Sequence, residues 1–260
     1  MRDIQNEEDT RKIPLDKVGV RGVKYPVTVL DKNQKLQATC ATVDLYVNLP
    51  HNFKGTHMSR FIQVFHKYHS DISMQHFLEM LEEIRVKLEA EESYGKISFP
   101  YFVTKKAPVS ESEGIMEYQC SYEATVRENK RKFFVNIAVP VTTLCPCSKA
   151  ISENGAHNQR GTVRVKLLYS DFFWIEDVIE GIEKCASSPL YSVLKRKDEK
   201  FVTEMAYENP RFVEDVVREV YLFLRSFPIK KPFKWFSVEC ENEESIHYHN
   251  AYAYTEYGKV

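Results

Sequence analysis

The stretches Phe133-Phe134-Val135-Asn136-Ile137-Ala138-Val139 and Val163-Arg164-Val165-Lys166-Leu167-Leu168-Tyr169 decide the fold. In both, every second residue is apolar, the period of a β-strand with one buried face. Between them lies a polar connection that holds Leu144-Cys145-Pro146-Cys147-Ser148-Lys149 and Asn154-Gly155-Ala156-His157-Asn158-Gln159-Arg160. Two soft thiols, a proline that fixes the backbone between them and an imidazole after a glycine turn form one wall of a candidate metal site. The candidate site is thus the connection of a hairpin.

Working outward, Trp174, Ile175, Val178, Ile179 and Ile182 fall at helical spacing. Asn209-Pro210 offers an N-cap and first-turn proline for a second helix carrying Phe212, Val213, Val216, Val217, Val220 and Leu224. Two β runs, Phe233 to Glu241 and Ile246 to Tyr254, close a ββααββ module. The first half is similar. Val27 and Val29, then Leu36, Ala38, Val43, Leu45 and Val47, form a hairpin about Asp31-Lys32-Asn33. Met74, Phe77, Leu78, Leu81, Ile84 and Leu88 mark an amphipathic helix, and β runs follow around Ile97 to Val103 and Met116 to Val126. The expectation is an α+β fold of two tandem modules, residues 18–128 and 129–260, with antiparallel sheets covered on one face by helices. Residues 1–17 are charged and aperiodic and read as an N-terminal arm or pairing segment. Sheets with so few strands leave open edges, which an oligomeric β-barrel would close.

The chain has 260 residues, 43% hydrophobic and 28% charged, enough to bury a sizeable core. A formal charge of -1 gives no global field for nucleic acid or an anionic membrane, and no run approaches the roughly 20 apolar residues of a spanning helix. Six cysteines accompany a polar, acidic start, Met1-Arg2-Asp3-Ile4-Gln5-Asn6-Glu7-Glu8-Asp9, unlike a secretory leader. The expected compartment is the reducing cytoplasm.

Other polar clusters add to the connection. In Ser245-Ile246-His247-Tyr248-His249-Asn250 a period of two would put both imidazoles on one strand face, beside Ala251 and Ala253. Glu199 sits in the charge-rich Lys195-Arg196-Lys197-Asp198-Glu199-Lys200, which reads as a solvated loop unless a ligand claims it. Glu214, early in an apolar helix, is either a dipole-favoured surface charge or an acceptor for two N–H groups of a purine edge. Cys145 and Cys147 are spaced i, i+2, which is neither the redox nor the structural zinc pattern, and no second pair completes a closed sulfur site. A mixed Cys/His/carboxylate set with an open position is the better reading.

Taken with Asp198-Glu199-Lys200-Phe201-Val202-Thr203-Glu204, Glu208-Asn209-Pro210-Arg211-Phe212-Val213-Glu214-Asp215, Glu244-Ser245-Ile246-His247, Ile13-Pro14-Leu15-Asp16 and Gly55-Thr56-His57-Met58-Ser59-Arg60-Phe61, the Cys145 to Arg160 segment closely resembles the prokaryotic type IB GTP cyclohydrolases. The resemblance spans nearly the whole chain. It implies a tunnelling-fold homotetramer with shared active sites that hydrolyses GTP to 7,8-dihydroneopterin triphosphate and formate, the entry step to folate. Carried over by motif, Cys145, His157 and Glu199 would ligate one divalent metal, zinc, manganese or iron. Glu214 would anchor the purine; His247 and His249 would transfer protons, with Cys145 and Cys147 also at the catalytic centre. Lys149, Arg160, His57 and Arg60 flank the matched blocks and are the candidates for the triphosphate. Two other readings stand beside this one: a tunnelling-fold nitrile reductase with a nucleophilic Cys, and a metal-binding oligomer without catalysis.

Overall fold

The computed structural model describes residue 5 and residues 9–259. They form two compact units, residues 1–100 with 121–135, and residues 101–120 with 136–260. The expected boundary at residue 128 falls elsewhere because three long strands, β3 (Glu92–Lys106), β4 (Glu113–Arg127) and β5 (Lys130–Leu144), each contribute residues to both units.

The first unit opens with the antiparallel ribbon of β1 (Leu15–Asp31) and β2 (Lys35–Leu49). Residues 15–17 of the expected arm therefore belong to a strand, whereas residues 1–4 and 6–8 lie outside the described part. Gln5 and Asp9 hydrogen-bond to the 52–56 loop, through Gly55 N to Gln5 O at 3.1 Å and Asp9 N to Asn52 O at 3.3 Å. Val27, Val29, Ala41, Val43, Leu45 and Val47 are buried at alternate positions. The amphipathic helix read from the sequence is α2 (Met74–Lys87), capped by the Ser73 hydroxyl accepting from His76 N. It buries Phe77, Met80, Leu81 and Ile84. Gly95 of β3 lets α2 lie close, since a Cβ there would stand 2.8 Å from the Phe77 ring. A further helix, α1 (Met58–Tyr68), buries Phe61, Val64 and Phe65 and was not expected.

The second unit contains the remaining elements: α3 (Pro146–Ile151), β6 (Asn158–Leu168), α4 (Ile175–Cys185), β7 (Ser188–Pro189), α5 (Arg196–Glu208), α6 (Val213–Arg225), β8 (Trp235–Asn242) and β9 (Ala251–Gly258). Its strands run in the order β3-β4-β5-β6-β8-β9, with β7 paired to β5. Val139, Val141, Val163, Val165, Leu167, Phe236 and Val238 are buried from the sheet, and Val178, Ile179, Ile182, Val216, Val217, Val220 and Leu224 from α4 and α6. This is the α+β arrangement the alternation predicts.

Two boundaries differ from the sequence expectation. Asn209 closes α5 as its C-cap instead of opening α6, whose N-cap is Phe212. The expected loop 195–200 is the first turn of α5: it lacks apolar periodicity because α5 is largely exposed, burying only Asp198 and Ala206. Asp198 takes the place of an apolar anchor. Its carboxylate accepts from Val109 N at 2.9 Å, from Ser110 N at 2.7 Å and Oγ at 2.6 Å, and from Lys195 N at 2.8 Å. Burial pushes this carboxyl up, but those bonds outweigh it and hold the group well below the usual carboxylate range.

Candidate active site

The connection between β5 and β6 is where the sequence places it, and short backbone bonds shape it. Cys145 N donates to His157 O at 3.1 Å, so the two ends of the connection are closed on each other. Pro146 starts α3 at its first turn, where its missing N–H is no loss, and Cys145 is the N-cap, with Sγ accepting from Ser148 N at 3.4 Å. Gly155 has φ +92°, a left-handed conformation that allows the chain to turn back before His157. Arg211 N donates to Leu144 O at 3.0 Å, which ties the entry of α6 to the end of β5. Glu243 N donates to Arg160 O at 2.9 Å, which brings the β8–β9 loop over the same place.

A cavity of about 240 Å³ results, lined by residues of the second unit that include Cys145, His157, Glu214, Glu244, His247 and His249. The His157 and His247 rings meet edge to face at 6.5 Å, and His247 stacks on His249 at 5.3 Å. These two histidines do not sit on a strand. β9 begins at Ala251, paired with Asn242, so residues 243–250 form the loop between β8 and β9. Glu243, Glu244 and Ser245 offer no apolar face to continue the ladder, and the loop lets both rings turn to one side without strand alternation. Glu214 lies in the first turn of α6, exposed and facing the cavity.

His157 is held from behind. Its Nδ1 lies 2.9 Å from Gln159 Oε1, and Gln159 Nε2 donates to the buried Thr143 hydroxyl at 2.8 Å. Ser245 Oγ stands 3.5 Å from the same Nδ1. Gln159, Arg211, Asn242 and Glu244 line the cavity and were not singled out as site residues in the sequence. Asn242 is buried, and a Cβ at Gly161 would come within 2.4 Å of its Oδ1, so a side chain at 161 would force the Asn242 amide to move. Arg211 Nε is buried and makes no hydrogen bond. The signal for Arg211 was its place three residues before Glu214 in the motif already quoted.

Other expected residues lie off the cavity. Cys147 is exposed on α3, and Glu199 is exposed on α5; neither lines it. Lys149 donates to Tyr207 O and lies over the Tyr207 ring at 4.3 Å. Arg160 is exposed on β6; His57 is the N-cap of α1 and Arg60 lies in its first turn, in the first unit. Among the described residues no group of three or more His, Cys, Asp or Glu side chains is arranged to hold a metal ion. Two of the three expected ligands, Cys145 and His157, are together; Glu199 is not with them.

The model of the type I GTP cyclohydrolase FolE2 family matches residues 1–253. The chain belongs to that family. It is the FolE2 type that matches, which refines the resemblance read from the motifs: the relation is not to the FolE type of GTP cyclohydrolase I. GTP cyclohydrolase FolE2 of Syntrophotalea carbinolica is 52% identical over 257 residues, covering 99% of this chain and 95% of the relative. The Geobacter sulfurreducens protein of the same name is 52% identical over 259 residues, covering 100% and 99%. That of Syntrophus aciditrophicus is 53% identical over 256 residues, covering 98% and 99%. Among solved structures, a uricase from Bacillus fastidious aligns with TM-score 0.57 at 7% identity over 93% of this chain and 92% of that one. Urate oxidase from Bacillus subtilis aligns with TM-score 0.53 at 8% identity over 94% and 98%. At such identities the likeness is one of fold, and the fold is the tunnelling fold with its large antiparallel sheet and covering helices.

Proposed function

We propose that this chain hydrolyses GTP to 7,8-dihydroneopterin triphosphate and formate, the first step of tetrahydrofolate biosynthesis. The observation that carries this reading is one cavity in which Cys145, His157, Glu214, His247 and His249 converge, in a chain that matches FolE2 over residues 1–253. The Glu214 carboxylate is an acceptor for both the N1–H and the 2-amino group of guanine, two charge-assisted bonds that another base does not offer together. His247 and His249 line the same cavity and are the proposed donors of the proton that a ring nitrogen leaving C8 needs.

A divalent metal fits part of the donor set. Cys145 supplies a soft thiolate, and His157 an imidazole whose Nδ1 is already engaged, a combination suited to zinc; a carboxylate in the set would also suit manganese or iron. Glu199 is the proposed third ligand, brought in from a neighbouring copy because it is exposed and away from its own chain's cavity. When bound, the metal supplies Lewis acidity that brings water toward ionisation at neutral pH. The cavity size supports sharing: about 240 Å³ in one chain is below the roughly 300–1,000 Å³ of small-molecule sites. The homotetramer that the family resemblance implies is the proposed assembly, with edge strand β9 as a surface that a second copy would close.

For the triphosphate, Lys149 and Arg160 are the proposed partners, joined by Arg211 from the cavity wall. Cys147, the second residue of α3, is the proposed helper of Cys145. The cytoplasm is the proposed compartment, where all six free cysteines stay reduced. The test is direct. Purified protein with GTP and zinc or manganese is expected to release formate and a product that fluoresces as neopterin after oxidation, with Cys145→Ala inactive. No product from the wild type, or equal product from Cys145→Ala, overturns the reading.

A further inference from the structure

We infer that Thr143 and Gln159 form a relay that fixes the His157 tautomer, placing the ring proton on Nδ1 and presenting the bare Nε2 to the cavity. Thr143 is the penultimate residue of β5 and fully buried, and Gln159 is the second residue of β6, 7% exposed. The two strands are neighbours in the sheet, so the relay is built on hydrogen-bonded backbone and not on a loop. The Gln159 amide N–H donates to Thr143 Oγ1 at 2.8 Å, and the amide oxygen faces His157 Nδ1 at 2.9 Å. A carbonyl oxygen can only accept. Nδ1 must then carry the proton, and the lone pair of the neutral ring lies on Nε2.

The ring is steadied in other ways that do not choose a tautomer. His157 N donates to Ser148 Oγ at 3.3 Å, and its carbonyl accepts from Cys145 N. Ser245 Oγ at 3.5 Å from Nδ1 is at the limit of a hydrogen bond and, as a hydroxyl, suits either tautomer. The choice falls to Gln159, whose amide oxygen faces the ring, and Thr143 holds that amide in place from the far side. Both are positioning residues, since Gln159 acts through the His157 ring and Thr143 acts through Gln159. That the presented Nε2 meets a metal rests on the functional reading above; the tautomer itself does not.

The experiment uses the full chain, stripped of metal with a chelator and labelled with ¹⁵N-histidine, at a pH where imidazole is neutral. Long-range ¹H–¹⁵N spectra report which ring nitrogen is protonated, with His157 assigned by its loss in His157→Ala. The wild type is expected as the Nδ1–H form, Gln159→Leu as a mixture or the Nε2–H form, and Gln159→Glu, which keeps an acceptor, as Nδ1–H. Thr143→Val is expected to loosen the preference. Zinc affinity, read by competition with a chromophoric chelator, should weaken about 10- to 100-fold in Gln159→Leu and recover in Gln159→Glu. A wild-type Nε2–H ring, or a Gln159→Leu spectrum like that of the wild type, overturns the relay. If the tautomer behaves as stated but zinc binds the wild type no better than it binds Cys145→Ala/His157→Ala, the relay stands and the metal reading fails.

Discussion

Replacing Glu183 with leucine should cost about 3–5 kcal/mol of folding stability, because it strips the counter-charge from a lysine that the fold has taken out of water. Glu183 is on α4, and its side chain is 8% exposed. Oε2 accepts from Lys105 Nζ at 2.7 Å and Oε1 from the Tyr118 hydroxyl at 2.8 Å. Lys105 is itself only 16% exposed and also donates to Leu190 O at 2.7 Å. Without the carboxylate the ammonium keeps one carbonyl and the face of Tyr191 at 4.3 Å, which do not neutralise it. The Tyr118 hydroxyl loses its acceptor as well, worth about 1–3 kcal/mol if nothing replaces it, although the two losses overlap and do not add. Against a total of about 5–15 kcal/mol this is a large fraction. The companion variant Lys105→Met/Glu183→Leu/Tyr118→Phe removes every polar member at once and should come back to within about 1–2 kcal/mol of wild type. Urea unfolding at one fixed protein concentration, so that association contributes equally, measures both. A single variant costing under about 1 kcal/mol, or a triple variant as unstable as the single, refutes the reasoning. The pH dependence has a definite sign. Burial lowers the Lys105 pKa, with the Glu183 charge and hydrogen bond opposing. The folded state therefore binds fewer protons than the unfolded state between the lowered value and the ordinary lysine value of about 10.4. Stability from this group rises with pH across that window and is flat below it; the triple variant should lose the rise.

The remaining expectations concern the site and the thiols. Glu214→Ala removes the acceptor of two guanine donors and should lower kcat/KM for GTP by about 100-fold or more, while shrinking the preference of the enzyme for GTP over inosine triphosphate, which lacks the 2-amino group; an unchanged preference would place Glu214 away from the base. Lys149→Ala and Arg160→Ala should raise KM for GTP far more than KM for guanosine-type fragments, and equal effects on both would remove these residues from triphosphate binding. In the folded protein an aromatic disulfide reagent at mildly alkaline pH should label Cys40 and Cys147, the two exposed thiols, and spare Cys120 and Cys240 until denaturant is added. Burial pushes Cys240 up to about 12 and Cys185 up to about 11, and raises Cys120 further, so all three carry little thiolate. Rapid labelling of Cys240 without denaturant, followed by mass spectrometry of the modified peptide, would contradict its burial.

The elements visible in the sequence were those whose burial follows a simple period. In β5 the buried residues Phe133, Val135, Ile137, Val139 and Val141 alternate without a break, and α2, α4 and α6 each bury a stripe at helical spacing. Strand alternation also located the Cys145 to His157 connection, because each flanking strand could be recognised by itself. α1 went unread although Phe61, Val64 and Phe65 are buried at helical spacing, since that stripe spans little more than one turn before the polar His66 and Lys67. His247 and His249 were assigned to a strand from spacing alone. The pairing of Asn242 with Ala251 is a long-range fact that decides otherwise.

Asp198 and Glu199 show why neighbouring acidic residues can be indistinguishable in a sequence and opposite in a fold. Both stand in the first turn of α5, where the helix dipole favours negative charge, so propensity offers no way to separate them. What separates them is the 107–112 turn, which presents two backbone N–H groups and a hydroxyl to position 198 and none to its neighbour. A buried carboxylate with four donors is spent on holding α5 in place. Glu199, one residue on and about 100° around the helix, is thereby turned to solvent with its charge uncommitted by any ion pair among the described residues. The anchoring of Asp198 therefore leaves Glu199 on a helix held in place and outside the cavity of its own chain, as the proposed donation to a neighbouring copy would require. Asp198→Asn should accordingly weaken metal binding without touching a ligand, and should do so with Cys145 and His157 unchanged. If zinc affinity in Asp198→Asn equals that of the wild type while Glu199→Ala lowers it, the anchoring is not needed for the donation.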